Sequence, residues 1–444
     1  MDRSFATLHG CVERQSGSAQ LAAYSKNDKA SVIENAGSLR AGAVCGRAWM
    51  SALPFDVYDA DHHLYEPADA FLRHLPKQFS NDFYFVEVKG RTKLVIGGQL
   101  SDYIPNPTFE VVAGPGTHEK WYRADNPEGL TMREMTGKPI RPPAEWRSGD
   151  GRIAVMDQQG VHAALVFPTL ASVIEERLNH KPEAMAALFH SLNTWTDEEW
   201  GFARENRLFS VPMISLADQD LAIEELETVL KAGARCIGIR PAPVPGFRGS
   251  RSPGLPEFDP FWARVQEAGI FTCLHTSDSG YDRIYRWWTG GSGEYQPFER
   301  DPFQATLDVL GRPISDTLSA FVCHGVFDRF PKLRMISVEN GADWVRPLLH
   351  RLDKAYGQMP KSFKRHPRDI FREHIFIAPF YEDNLQTLAE DMPIERILFG
   401  SDFPHPEGVA EPLDYLKEFE GFSDESIKRI FHTNMKGLLE GTRD

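Results

Sequence analysis

The chain has 444 residues, 41% of them hydrophobic, enough to bury a large core without requiring two domains. Its 49 Lys and Arg stand against 63 Asp and Glu, a formal charge of -14 that lacks the basic patch phosphate-backbone binding needs, so nucleic acid is not an expected partner. No apolar run reaches the roughly 18 residues a bilayer span requires, the N-terminus lacks a basic-then-apolar leader, and Cys11, Cys45, Cys236, Cys273 and Cys323 form no CxxC pair; a cytoplasmic protein without membrane contact is expected.

Residues 1–50 are rich in Ser, Ala and Gly with no sustained period, and read as a poorly ordered tail; Met50 offers an alternative start. From Val57 onward short apolar runs alternate with amphipathic stretches, the pattern of βαβ units and a parallel sheet. Strands are predicted at Val57–Asp61, Ala164–Pro168, Phe209–Ile214, Cys236–Arg240, Phe271–His275, Met335–Glu339, His374–Ala378 and Arg396–Ser401. Helices are predicted at Pro182–Glu205, Ala217–Ala232, Phe258–Glu267, Asp316–Phe330, Trp344–Tyr356 and Ser423–Leu439. Eight strands in one α/β unit predict a TIM-like (β/α)8 barrel over 51–444.

Between the first two strands, about 75–150, prolines, Gly97-Gly98 and the pair Trp121-Tyr122 break the rhythm, and an insertion roofing the pocket is expected. A second irregular stretch, Asp278–Pro302, carries Tyr281, Tyr285, Trp287, Trp288 and Tyr295. These aromatics are candidates either for an aromatic-substrate wall or for a packed loop cluster. Gly290-Gly291-Ser292-Gly293 reads as a flexible turn.

Four strand ends carry metal-ligand chemistry. Asp61 and His63, two apart, share a face by the period of 2; His275 ends the fifth strand and Asp402 follows the eighth. Two imidazoles and two carboxylates suit one divalent ion, Zn2+ first and Mn2+ as the alternative. Glu339, after the sixth strand, is a candidate acid/base, a further metal contact or a helix cap. His324 competes for the acid/base role, with a structural helix position as its alternative. Arg240 at the fourth strand end suits a substrate carboxylate or a buried ion pair, and His405 either touches substrate or lies on a surface loop. Glu66 is expected to orient a ligand or cap a turn, and His62 to point away.

The runs Asp59-Ala60-Asp61-His62-His63-Leu64-Tyr65-Glu66-Pro67, Gly325-Val326-Phe327-Asp328-Arg329-Phe330-Pro331 and Phe399-Gly400-Ser401-Asp402-Phe403-Pro404-His405 resemble the amidohydrolase-related family that contains aminocarboxymuconate-semialdehyde decarboxylase. The likeness runs from about 56 to 440. It implies a TIM-like barrel, one metal ion, a dimer, and decarboxylase or hydrolase chemistry on a small carboxylic acid. Family members with His-x-His at the first strand differ from Asp61-x-His63 here, which favours a harder ion such as Mn2+. Glu339 stands where those decarboxylases carry a catalytic His. Three functions follow: a decarboxylase of an aromatic or unsaturated acid, a hydrolase of an amide, ester or lactone, and an inactive barrel that only binds. Retention of Asp61, His63, His275 and Asp402 together argues against the last.

Overall fold

A computed structural model describes residues 53–291 and 300–441; the expected tail, Tyr295 and part of the glycine-rich turn lie outside them. Among the described residues ten strands form three sheets. β1 (Tyr58–Leu64), β5 (Ala163–Pro168) and β6 (Leu208–Ser210) pair in parallel, as do β7 (Cys236–Ile239), β8 (Phe271–His275), β9 (Met335–Val338) and β10 (Ile375–Ile377). Between β1 and β5 the chain makes an antiparallel meander of β2 (Phe83–Val88), β3 (Arg91–Ile96) and β4 (Gln99–Ser101), followed by short helices.

Isolated parallel bridges continue the pairing past the sheet edges. Met213 bridges Gly238, Ile377 bridges Ile397, and His62 bridges Phe403. The expected eighth strand, Arg396–Ser401, is therefore not a regular strand. Leu398 N–H donates to Ile377 O and Ala60 N–H to Phe399 O, both at 2.8 Å, but Gly400 and the left-handed Asp402 (φ 58°) interrupt the ladder. The third strand also ends early, because Pro212 has no N–H to donate.

The period of 2 divides the strands between a shared inner core and two outer ones, of which the first sheet's takes Leu64, Ala164, Val166 and Leu208. Ala163, Leu165, Phe167, Phe271, Cys273, Ile336, Val338 and Phe376 join one cluster of buried side chains, whereas Leu274, Met335, Ile375 and Ile377 join a second, packed with helices such as Gly311–Cys323 and Val345–Gln358. Strands buried on both faces are what a helix-covered parallel sheet demands. Two predicted helices are broken. Asp316–Phe330 is split at His324 by Gly325 (φ 68°), and Ser423–Leu439 contains a π-helical turn, Arg429–Thr433, between two α-helical pieces. Among the described residues no helix is long and apolar enough to cross a membrane.

Candidate metal centre

The site forms where strands end. Tyr58 and Ala60 face the same cluster as Phe167 and Cys273, and a register shift between Asp59 and His62 then changes the phase of β1, so that Asp61 and His63 face the site. Asp59 stays behind: one oxygen accepts the Asp61 and Ser401 N–H groups at 3.0 Å and the other lies 3.2 Å from His62 Nε2. Gly400 is needed here, since a Cβ on it would stand 2.9 Å from the Asp61 Cβ.

Asp61, His63, His275 and Glu339 bring one ligand atom each within 4.8 Å of one another, and His63, Glu339, Asp402 and His405 do the same. His63 Nε2 lies 3.2 Å from Asp61 Oδ1, 3.1 Å from Glu339 Oε2, 3.3 Å from Asp402 Oδ1 and 3.3 Å from His275 Nε2; His275 Nε2 is 3.0 Å from Glu339 Oε2. Two donors about 2.1 Å from one ion and at right angles lie about 3.0 Å apart, so these separations suit the edges of a coordination shell. Asp61 Oδ1 and Glu339 Oε2 are buried without a hydrogen-bond partner, a costly state for carboxylates that a cation relieves. His275 Nδ1 donates to Thr276 O at 2.8 Å, which turns the Nε2 lone pair toward the cluster in the neutral ring. The residues present thus fit one divalent ion.

Electrostatics agree. Burial would lower His63 and His275, but Glu339 and Asp61 outweigh it and carry His275 up to about 10, while Glu339, despite its burial, is held below the usual carboxylate range by the two imidazoles. A divalent cation among these atoms would take the place of those protons. Asp402 is pushed well up by burial and by Glu339 and Asp61, and His405 well down by burial and by His63.

The bonding around His405 points the same way. Thr169 Oγ1 donates to Leu64 O at 2.8 Å and so accepts from His405 Nε2 at 3.1 Å; that leaves Nδ1 as a bare acceptor 2.8 Å from Asp402 Oδ1. One proton has to lie between them. Asp402 and Glu339 also share left-handed backbone, φ 58° and 54°.

A cavity of ≈ 130 Å³ opens over His63, His275, Glu339 and His405. Its wall includes Tyr103, Tyr122 and Phe380, with Arg300, Glu382 and Glu407 as charged groups. Arg300 lies 5.6 Å from the Tyr122 ring centre. Burial raises both glutamates to about 7.

The sequence candidates therefore separate. Asp61, His63, His275, Glu339, Asp402 and His405 converge. His324 does not: it is an exposed C-cap whose Nδ1 meets Ser252 Oγ at 2.9 Å. Arg240 lines a different cavity and is ion-paired with Glu176 at 2.7 Å. Glu66 accepts the N–H groups of Leu170 and Ala171, capping a helical turn. Trp287 and Trp288 are 78% and 76% exposed, so they do not wall the site. Sequence reading missed Arg300, Glu382 and Glu407; Glu407 carried a signal, two residues past His405 on one loop.

The family model described as Amidohydrolase matches residues 58–438. Gamma-resorcylate decarboxylase of Rhodococcus jostii is 26% identical over 314 residues, covering 66% of this chain and 87% of the relative. The crystal structure of an amidohydrolase from Mycobacterium avium subsp. paratuberculosis superposes with a TM-score of 0.83 at 41% identity, over 87% of this chain and 100% of the other. A dihydroxybenzoic acid decarboxylase from Polaromonas, with bound manganese and the inhibitor 2-nitroresorcinol, shares the fold at a TM-score of 0.50 and 20% identity, over 68% and 89% of the two chains.

Proposed function

Because the chain belongs to the amidohydrolase family, we propose that it is a metal-dependent enzyme that removes the carboxyl group of an aromatic carboxylic acid as CO2. The observation that carries this reading is the convergence of Asp61, His63, His275, Glu339 and Asp402, with unpartnered oxygens on Asp61 and Glu339, beneath an aromatic-walled cavity. The decarboxylases among its relatives supply the reaction type.

The strands and the 397–403 segment are read as one (β/α)8 barrel with residues of about 75–150 inserted after β1. The bridges at Met213, Ile397 and Phe403 support this, since they join each sheet edge to the next. Ligands at strand C-terminal ends are where such barrels place their chemistry.

Asp61, His63, His275 and Glu339 would hold the ion. Three carboxylates near two imidazoles favour Mn2+ over Zn2+, in line with the manganese of the Polaromonas neighbour. When bound, it supplies Lewis-acid stabilisation of negative charge on substrate oxygens. Arg300 offers a guanidinium to a carboxylate or phenolate, and Tyr122 and Phe380 flank an aromatic ring. Asp402 delivers the proton it shares with His405 to the ring carbon bearing the carboxylate. The ring-to-carboxylate bond then breaks, CO2 leaves, and the bonding pair restores the aromatic ring. Asp402, left ionised, regains a proton from solvent while His405, anchored by Thr169, holds its place.

The test is release of CO2 from hydroxybenzoic acids by Mn2+-loaded protein, with the ion counted per chain. CO2 release that His275→Ala abolishes together with the ion supports the reading. Ester or amide hydrolysis without CO2, or no ion bound after loading with Mn2+ or Zn2+, overturns it.

A further inference from the structure

We propose that the acid accepted by this site carries a bulky apolar substituent beyond the reacting ring, housed in a second cavity walled by the segment between β1 and β5. The proposal rests on the decarboxylase reading for the reacting end alone. The chamber over the metal cluster, ≈ 130 Å³, lies below the usual range of about 300–1,000 Å³ for ligand pockets. A neighbouring cavity of ≈ 820 Å³ lies within it.

The two adjoin. Ile104, Thr169, His405 and Glu407 line both. His405 stacks on His63 with ring centres 3.8 Å apart and borders both spaces, so a ring over the cluster can extend past it.

The second chamber has an apolar, well-packed wall. Tyr65, Phe109, Val112 and Met132 line it and are 3%, 5%, 9% and 2% exposed, and Tyr65 and Phe109 stack at 4.9 Å. Side chains that well packed do not collapse inward when the space is unfilled. Its polar lining includes the exposed Arg91 and Arg133, the pair Lys93–Asp102 and, toward the metal cluster, His405 and Glu407, with His118 buried in the wall. Such a space is wet and unused around a single-ring acid and is filled favourably by a hydrocarbon substituent.

Calorimetric titration of the Mn2+-loaded protein with 2,6-dihydroxybenzoate and with its 4-hexyl derivative tests this. Val112→Phe and Met132→Trp each fill the chamber without touching the metal cluster, so failure of one to fold leaves the other. The hexyl acid is expected to bind at least about tenfold tighter than its parent, and either variant to erase that advantage while changing the parent by less than about twofold. Equal affinity for the two acids, no binding of either, or an equal loss for both in the variants, as an access passage would give, overturns the proposal. If the hexyl preference and its loss appear but no CO2 is released, the chamber stands and the decarboxylase reading falls.

Discussion

Two charged clusters sit at strand ends in this fold, and they solve opposite problems. Around Arg240 the charges balance: Arg240 meets Glu176 at 2.7 Å and Glu175 at 3.7 Å, Arg283 meets Glu176 at 2.9 Å, and Arg177 meets Asp278 at 3.2 Å. Glu175 also accepts from Ser215 Oγ at 2.7 Å. Around His63, by contrast, Asp61 and Glu339 are balanced only by protons held on the His63 and His275 imidazoles, and an oxygen of each carboxylate has no hydrogen bond. A buried cluster that closes its own charge account is structural. One that balances only by protonating ring nitrogens able to ligate a metal has a place for a cation instead.

The sharpest way to break this contrast is in the rate. Asp402→Asn keeps the shape of the site but removes its acid, and kcat in a CO2-release assay is expected to fall by about 10²–10⁴-fold while mass spectrometry still finds the ion. Loss of the ion with the rate would make Asp402 a ligand first. Next in size, Arg240→Met leaves Glu175 with Ser215 alone and Glu176 with Arg283 alone; denaturant titration should show a loss of about 3 kcal/mol with metal content unchanged. A mild effect would mean that those carboxylates reach water.

A smaller effect separates a satisfied buried carboxylate from the unsatisfied ones. Burial raises Glu66 to about 7, against backbone N–H donors that lower it. Its contribution to stability is whole below about pH 4.5, the unfolded value, and is lost as pH climbs toward 7. Wild type should therefore lose about 1–3 kcal/mol between pH 4.5 and 7 relative to Glu66→Gln, read from paired unfolding curves. Parallel curves would place Glu66 in contact with solvent. Smallest, chelation should lower the thermal midpoint of wild type and of Asp402→Asn by the same amount, because Asp402 carries a proton and adds no charge to the emptied site. A larger drop in wild type would make Asp402 an ionised ligand.

What sequence made legible was the strands buried on both faces and the polar residues at their ends. β8 has the predicted limits, Phe271–His275, because Thr272-Cys273-Leu274 is an unbroken β-prone run closed by a helix-avoiding Thr-Ser-Asp. Asp61, His63 and His275 meet, as strand-end placement implied, although the phase change in β1 that lets Ala60 face the core and His63 the site leaves no mark in the sequence. His324 and Arg240 were indistinguishable from site residues by local pattern. Only tertiary placement shows one capping a helix that Gly325 stops, and the other bound to glutamates more than 60 residues earlier. Of the two readings of the aromatic run Tyr281–Trp288, the packed loop cluster is the nearer: Tyr285 stacks on Phe303 and Trp288 meets the same ring edge-on, while Tyr103 and Tyr122 from the other long segment wall the cavity.

The left-handed backbone at Glu339 and Asp402 has a consequence for laboratory selection. Such conformations cost about 1–3 kcal/mol in residues other than glycine, and asparagine and glycine bear them most easily. A random library sorted only for heat resistance would be drawn to codons 339 and 402 early, and its winners would be tougher proteins that no longer turn over substrate.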